Sequence, residues 1–290
     1  MIIKRKAPRR AFSWPLGLLM TAIGLLARPA AAEVAVITDN HGPVLGETQD
    51  FTIYPYYYGG GWGSINPPSA AVQAHQAYLA KLAAFISNAY HPSGIQPFIR
   101  QYRIGANAFA GPAAGDLTPA PKLLKDSDIK SIITSAQGAS GDRHLPAYGP
   151  NVLIMVFPDS GFTYCSDVNI CGNDWSSKAY HLTAGANAYY GVLFGDNTAT
   201  SYSVVSQAVS HEVFEASTDP AFSAWQGAAP PHNATTEVCD SDNSDVFSDN
   251  GIMVWSCYDN SIGGAQTTTG YDPPTAFDPI SFIVPVMSPF

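Results

Sequence analysis

The chain has 290 residues, with 14 Lys/Arg against 23 Asp/Glu and a formal net charge of −9 at pH 7. An acidic surface repels nucleic acid and anionic membrane, so polyanion binding is excluded as an expectation. Hydrophobic residues make up 46%, enough at this length to bury one sizeable core.

Residues 1–32 read as a targeting segment. Lys4, Arg5, Lys6, Arg9 and Arg10 form a basic region, and the apolar run from Pro15 to Ala27 is too short to span a bilayer comfortably. Ala30-Ala31-Ala32 offers a small-residue cleavage site, so a signal peptide over 1–32 and a single exported domain over 33–290 are expected. An uncleaved anchor is the competing reading, and Arg9-Arg10-Ala11-Phe12 also resembles a twin-arginine signal. Removing 1–32 takes away six Lys/Arg and no Asp/Glu, which moves the net charge from −9 to −15. No later run is long and apolar enough to cross a membrane. The expected location is secreted or periplasmic, with no nucleic acid partner and no stable membrane insertion after cleavage.

In chain order, Glu33 to Thr38 alternates and is β-branched, and Phe51 to Tyr58 is a Tyr-rich strand that Gly59-Gly60-Gly61 ends. Ala70 to Tyr90 carries helical spacing along Ala74, Tyr78, Leu82, Phe85 and Ala89. Pro97 to Ile104 suggests a strand. Asp128 to about Ala136 suggests a helix, with Asp126 and Ser127 as candidate N-caps. The unbroken apolar run within Asn151 to Phe157 predicts a central strand buried on both faces. Tyr189 to Phe194 is another strand, and Tyr202 to Thr218 a helix closed by Pro220. Ile252 to Trp255 and Ile280 to Val286 are late strands, while 158–188 and 221–250 have loop composition. Interleaved strands and helices predict an α/β or α+β fold with a mixed central sheet. The aromatic run Tyr54 to Tyr58, with Trp62, is assigned to packing ahead of ligand stacking.

The four cysteines, Cys165, Cys171, Cys239 and Cys257, suggest two disulfides in an exported chain. Three pairings are open. Cys165–Cys171 with Cys239–Cys257 is favoured, because each pair brackets a polar loop. The absence of Cys-x-x-Cys speaks against a cysteine zinc site.

Chemistry points to Ser210-His211-Glu212-Val213-Phe214-Glu215. Residues four apart share a helix face, so His211 and Glu215 can grip one metal ion together. Glu212 lies beside them, placed as a general base for a metal-activated water. The pattern is His-Glu-x-x-His with the second His replaced by Glu. The stripe Val205, Val209, Val213 and Ala216 faces the core, leaving His211 and Glu215 to point into a cleft. Glu237 is the favoured third ligand and Asp240 a fourth, with Asp219 and His232 as rivals. Zinc is the expected ion, and a carboxylate-rich set also suits manganese or calcium. The competing reading is an acidic helix end with a packed histidine. Asp240 to Asp245 looks like a calcium loop but lacks its central Gly and its closing Glu. Ser206, Ser210 and Ser217 sit in no nucleophile elbow.

His41-Gly42-Pro43-Val44, Ile53 to Gly59, Ile129 to Ile133, the strand Val152 to Val156, Cys165 and Cys171 carry a resemblance. So do Ser210 to Glu215, Thr218-Asp219-Pro220, Ala224-Trp225, Glu237-Val238-Cys239-Asp240 and Trp255-Ser256-Cys257. Together they resemble the EXORDIUM, or phosphate-induced, family of secreted proteins linked to growth. The resemblance implies a secreted, zincin-like domain whose His-Glu-x-x-Glu and later Glu-x-x-Asp fall on His211, Glu212, Glu215, Glu237 and Asp240. Plant members tend to carry Asn at the position of Asp219, and their Cys follows the Asp, whereas Cys239 precedes Asp240. The expected function is a secreted metal-dependent, peptidase-like hydrolase acting on a protein, a peptide or a cell-wall component. The alternative is a non-catalytic secreted binding or signalling protein.

Overall fold

Alternating side chains along three neighbouring strands divide the core into two layers. The computed structural model describes residues 37–87, 102–104, 106–165, 171–172, 179–194, 202–229, 234–239, 246–249, 252–255, 257–259 and 264–265. They belong to one compact unit, Val34–Phe290. The expected targeting segment, most of the strand from Glu33, and the strands from Pro97 and Ile280 lie largely or wholly outside the described residues.

The described elements run β1 (Thr38–Asp39), β2 (Phe51–Tyr58), α1 (Ala70–Ser87), β3 (Ala108–Ala110), β4 (Ala114–Asp116), β5 (Leu123–Leu124), α2 (Asp126–Gln137) and β6 (Val152–Pro158). They continue with β7 (Thr163–Cys165), β8 (Cys171–Gly172), β9 (Ala179–Thr183), β10 (Tyr189–Leu193) and α3 (Tyr202–Thr218). After that helix come β11 (Trp225–Ala229), β12 (Ala234–Thr236), β13 (Val246–Asp249) and β14 (Ile252–Trp255), followed by a short terminal pair.

The main sheet has the order β3-β2-β6-β10-β9, with β4 also on β2. Strands β2, β6 and β10 run parallel, and β9 closes the edge antiparallel to β10. The fold is therefore mixed α/β, as expected. Central strand β6 is buried on both sides, which is why its sequence is continuously apolar.

Residues of one parity, Phe51, Ile53, Tyr57, Leu153, Met155, Phe157, Tyr189 and Leu193, pack with α1 and α3. Residues of the other parity, Tyr56, Tyr58, Ile154, Val156, Tyr190 and Val192, pack with Ile129, Ile133 and Ala136 of α2. The Tyr-rich run of β2 is thus core, as is Trp62, whose indole N–H donates to the Phe157 carbonyl at 2.8 Å. Gly191 keeps the middle of β10 thin: a Cβ there would meet Met155 Sδ at 2.6 Å.

Four expectations need correction. Helix α2 begins at Asp126 with Lys125 as its N-cap; Asp128 reaches back to accept the Lys125 N–H at 2.9 Å, in place of capping by Asp126 or Ser127. The stripe of α1 keeps Tyr78, Leu82 and Phe85, which are buried, and widens to Val72, His75, Leu79, Ala83 and Ile86, while Ala74 is only partly buried. Strands β7, β8, β9, β11, β12 and β13 occupy stretches assigned to loops, because short strands paired by tertiary contacts need little apolar sequence of their own. Finally, most of the described side chains of α3, Glu215 among them, are buried, and β9, β10 and β14 pack against the helix.

Among the described cysteines, Cys239 and Cys257 form a disulfide. Cys165 is disulfide-bonded and stands directly opposite Cys171 in the β7–β8 ladder. No described helix is long and apolar enough to cross a membrane.

Candidate metal centre

Helix α3 supplies the first three side chains. His211 and Glu215, one turn apart, meet with Nε2 3.1 Å from Oε2. Glu212 and Glu215 are 5% and 3% exposed, unusual burial for carboxylates. Val209, Val213 and Ala216 hold the other side of the helix in the core.

The fourth side chain is His181, a residue that does not belong to the motif. It sits on β9, where Tyr180 and Leu182 turn towards the α2 layer. The strand's alternation therefore directs His181 to the α3 side, and only 4% of it is exposed. Its Nδ1 lies 3.4 Å from Glu212 Oε2 and 3.8 Å from Glu215 Oε2. Its Nε2 lies 3.2 Å from Glu237 Oε1. Both of these last atoms are buried without a well-aligned hydrogen bond, so the contact is close but its direction is poor.

Three carboxylates and two imidazoles thus share one buried region. Burial alone would pull the His181 pKa down, but Glu212, Glu237 and Glu215 outweigh it and hold the imidazole well above its ordinary value. In the absence of another cation, a proton on His181 is what balances these carboxylates. A divalent ion can take that role, and buried charge of this kind is retained when it is paired or coordinates metal.

The surroundings fix the ligand rings. Phe222 stacks on His181 with centroids 4.9 Å apart and an interplanar angle of 12°. Phe222 sits at φ 53°, a strained value for a residue with a Cβ. The turn that presents it is tied by Asp219, whose Oδ1 accepts the N–H groups of Ser223 at 2.6 Å and Ala224 at 2.7 Å. Asp219 is therefore a turn anchor. Burial pushes its pKa up while these two amides pull it down. On the other flank, Trp255 meets His211 edge-on at 4.9 Å. The Trp255 N–H donates to Ser210 Oγ at 2.8 Å, and its indole N–H to the Cys239 carbonyl at 3.3 Å.

Two groups of donors have metal-ligand spacing, each with its atoms within 4.8 Å of one another: His211, Glu215 and Cys239, and His181, Glu212 and Glu215. Cys239 is in a disulfide and has no thiolate to offer. The structure brings His211 to Glu215, while Glu212 and Glu215 meet at His181. It sets Glu237 against the far nitrogen of His181, outside both groups. Asp240, the rival His232 and the calcium-like stretch 240–245 lie outside the described residues. The sequence signal for His181 was the alternation Tyr180-His181-Leu182 just before the strand Tyr189–Leu193. No family model, no curated protein and no solved structure matches the chain.

Proposed function

We propose that this chain is an exported, metal-dependent hydrolase with peptidase-like chemistry, related to the EXORDIUM-type proteins. One observation carries the reading: His211 and Glu215 present donor atoms 3.1 Å apart beside the buried carboxylate of Glu212. In this reading His211 and Glu215 grip the ion, zinc or a harder dication such as manganese or calcium. When bound, such an ion lowers the pKa of a water and polarises a carbonyl. With an ion held there, the buried Glu212 carboxylate would be the residue placed to hold a proton and pass it to a leaving amine. Glu237 lies 3.2 Å from His181 Nε2 and would hold that ring by charge, a role that suits its place better than direct ligation. Asp240 stays a candidate ligand on the strength of the resemblance alone. The substrate is a protein, a peptide or a cell-wall component.

The non-catalytic alternative draws on burial. Glu212 and Glu215 are closed off from solvent, and Phe222 covers one face of His181. A closed site of this kind also suits a structural ion in a secreted binding or signalling protein.

The discriminating experiment compares the wild type with Glu212→Gln, each loaded with zinc or manganese, on unfolded casein. A hydrolase loses at least 100-fold in turnover with this base removed, as general bases contribute roughly 10²–10⁴. A variant with wild-type turnover removes Glu212 as the base. A metal-loaded wild type inactive on a broad panel of protein and cell-wall substrates favours the binding protein.

A further inference from the structure

The two imidazoles fall in different donor groups. His211 is grouped with Glu215, and His181 with Glu212 and Glu215; neither group contains both histidines. Glu215 is the only residue common to the two. Its Oε2 stands between them, 3.1 Å from His211 Nε2 and 3.8 Å from His181 Nδ1.

As the side chains stand, each set offers an ion one of the two rings. Nitrogen and oxygen donors bind a small dication at about 2.0–2.2 Å, so two donors on one ion are at most roughly 4.4 Å apart. Among the described residues, each set of donors within 4.8 Å of one another holds one imidazole, and neither holds both. A carboxylate with a histidine on either side is instead the arrangement of a bridged pair of ions, which sit about 3.5–4 Å apart in two-metal hydrolytic sites.

We infer that the centre binds two divalent cations, with Glu215 as the bridge. The first position is bounded by His211 Nε2 and Glu215. The second is bounded by His181 Nδ1, Glu212 Oε2 and Glu215, with Glu237 on the outer nitrogen of His181. This inference rests on the metal-dependent reading above and adds a second ion to it. Glu212 gives one oxygen to the second position and keeps the other for a proton.

His181 has the properties this assignment needs. It is almost wholly buried, and its ring is clamped between Phe222 on one face and carboxylates at both nitrogens. With Nδ1 on the ion, Nε2–H points to the Glu237 side. That is the ligand–carboxylate pairing that fixes a histidine's tautomer and ring plane.

The test counts metal. Purified protein is stripped with chelator, reloaded with excess manganese or zinc, desalted and assayed for metal per chain by mass spectrometry, with folding checked by circular dichroism. Two ions per wild-type chain are expected, about one in His211→Ala, about one in His181→Ala, and none or nearly none in Glu215→Ala. In the manganese form, the electron paramagnetic resonance spectrum of the wild type carries the features of an exchange-coupled pair, and those of both histidine variants do not. One ion in the wild type, unchanged by His181→Ala, overturns the second site and leaves the hydrolase reading standing. No ion overturns both. Two ions that persist in all three variants are adventitious surface binding and overturn the inference. If a histidine variant does not fold, the conservative His181→Gln and His211→Gln are counted in its place, and the coupled spectrum of the wild type remains an independent readout.

Discussion

His181 Nδ1 lies 3.4 Å from Glu212 Oε2, although 31 positions separate the two residues in the chain. The β9–β10 hairpin makes this contact. Antiparallel register places His181 opposite Gly191, and the pleat then turns the imidazole towards α3. The side chains of His181, Glu212 and Glu215 are 2%, 7% and 3% exposed, so water screens little of their interaction. In the metal-free protein, His181 is the cation that makes three close carboxylates tolerable. Breaking a buried ion pair by removing one partner costs about 3–5 kcal/mol. His181→Ala in the presence of chelator is expected to lose stability of this order in urea unfolding at pH 7. An unchanged midpoint would mean that the imidazole carries no charge in the metal-free state.

Asp219 governs the turn beneath the site. Its buried carboxylate gathers two amides, Ser223 at 2.6 Å and Ala224 at 2.7 Å, and the turn so formed places Phe222 on His181. Hydrogen bonds to a charged group contribute about 1.5–3 kcal/mol each. Asp219→Ala is therefore expected to cost roughly 3 kcal/mol or more, and Asp219→Asn clearly less, because the amide oxygen still accepts. Urea midpoints of the two variants check the order. Equal losses would mean that the charge contributes nothing beyond the acceptor.

Much of this arrangement was legible from sequence, for physical reasons that differ by element. Strand Phe51–Tyr58 and helix Tyr202–Thr218 have the bounds that their periodicity implies, because each buries a long side-chain pattern and ends at Gly or Pro. The pair His211 and Glu215 was legible because helix geometry alone brings residues four apart together. His181 was not, because its place depends on a hairpin within a polar stretch, and one histidine between Tyr180 and Leu182 says nothing of what faces it. Glu237 lies against His181, a neighbour that spacing along the chain could not indicate.

Ser210 links the motif helix to β14. Its hydroxyl donates to the Gln207 carbonyl at 2.8 Å and accepts the Trp255 N–H at 2.8 Å, while the Trp255 ring meets His211. Ser210→Ala strands a backbone N–H, at a cost of about 1–3 kcal/mol. It also frees Trp255 to shift from His211. Both a lower urea midpoint and a changed tryptophan emission are expected. A midpoint within about 0.5 kcal/mol of wild type, typical of a neutral surface substitution, would show that the strand finds another acceptor.

His75 supplies a pH dependence away from the metal centre. It lies in α1 amid the rings of Tyr57, Trp62 and Phe157, at centroid distances of 6.0, 4.8 and 5.1 Å. Burial lowers its pKa from 6.5 to about 3. Between those values the unfolded chain binds a proton that the folded chain does not, so stability rises with pH across this window. The contribution is fully present above 6.5 and is lost as pH falls towards 3. Each pH unit inside the window corresponds to about 1.4 kcal/mol, so roughly 2–3 kcal/mol disappear between pH 6.5 and 4.5. Carboxylates titrate in the same range, and a variant isolates the histidine. His75→Phe, which keeps an aromatic ring in the cluster, is expected to flatten the fall in urea stability over this interval by that amount. A variant whose acid limb runs parallel to the wild type would place the acid sensitivity elsewhere in the fold.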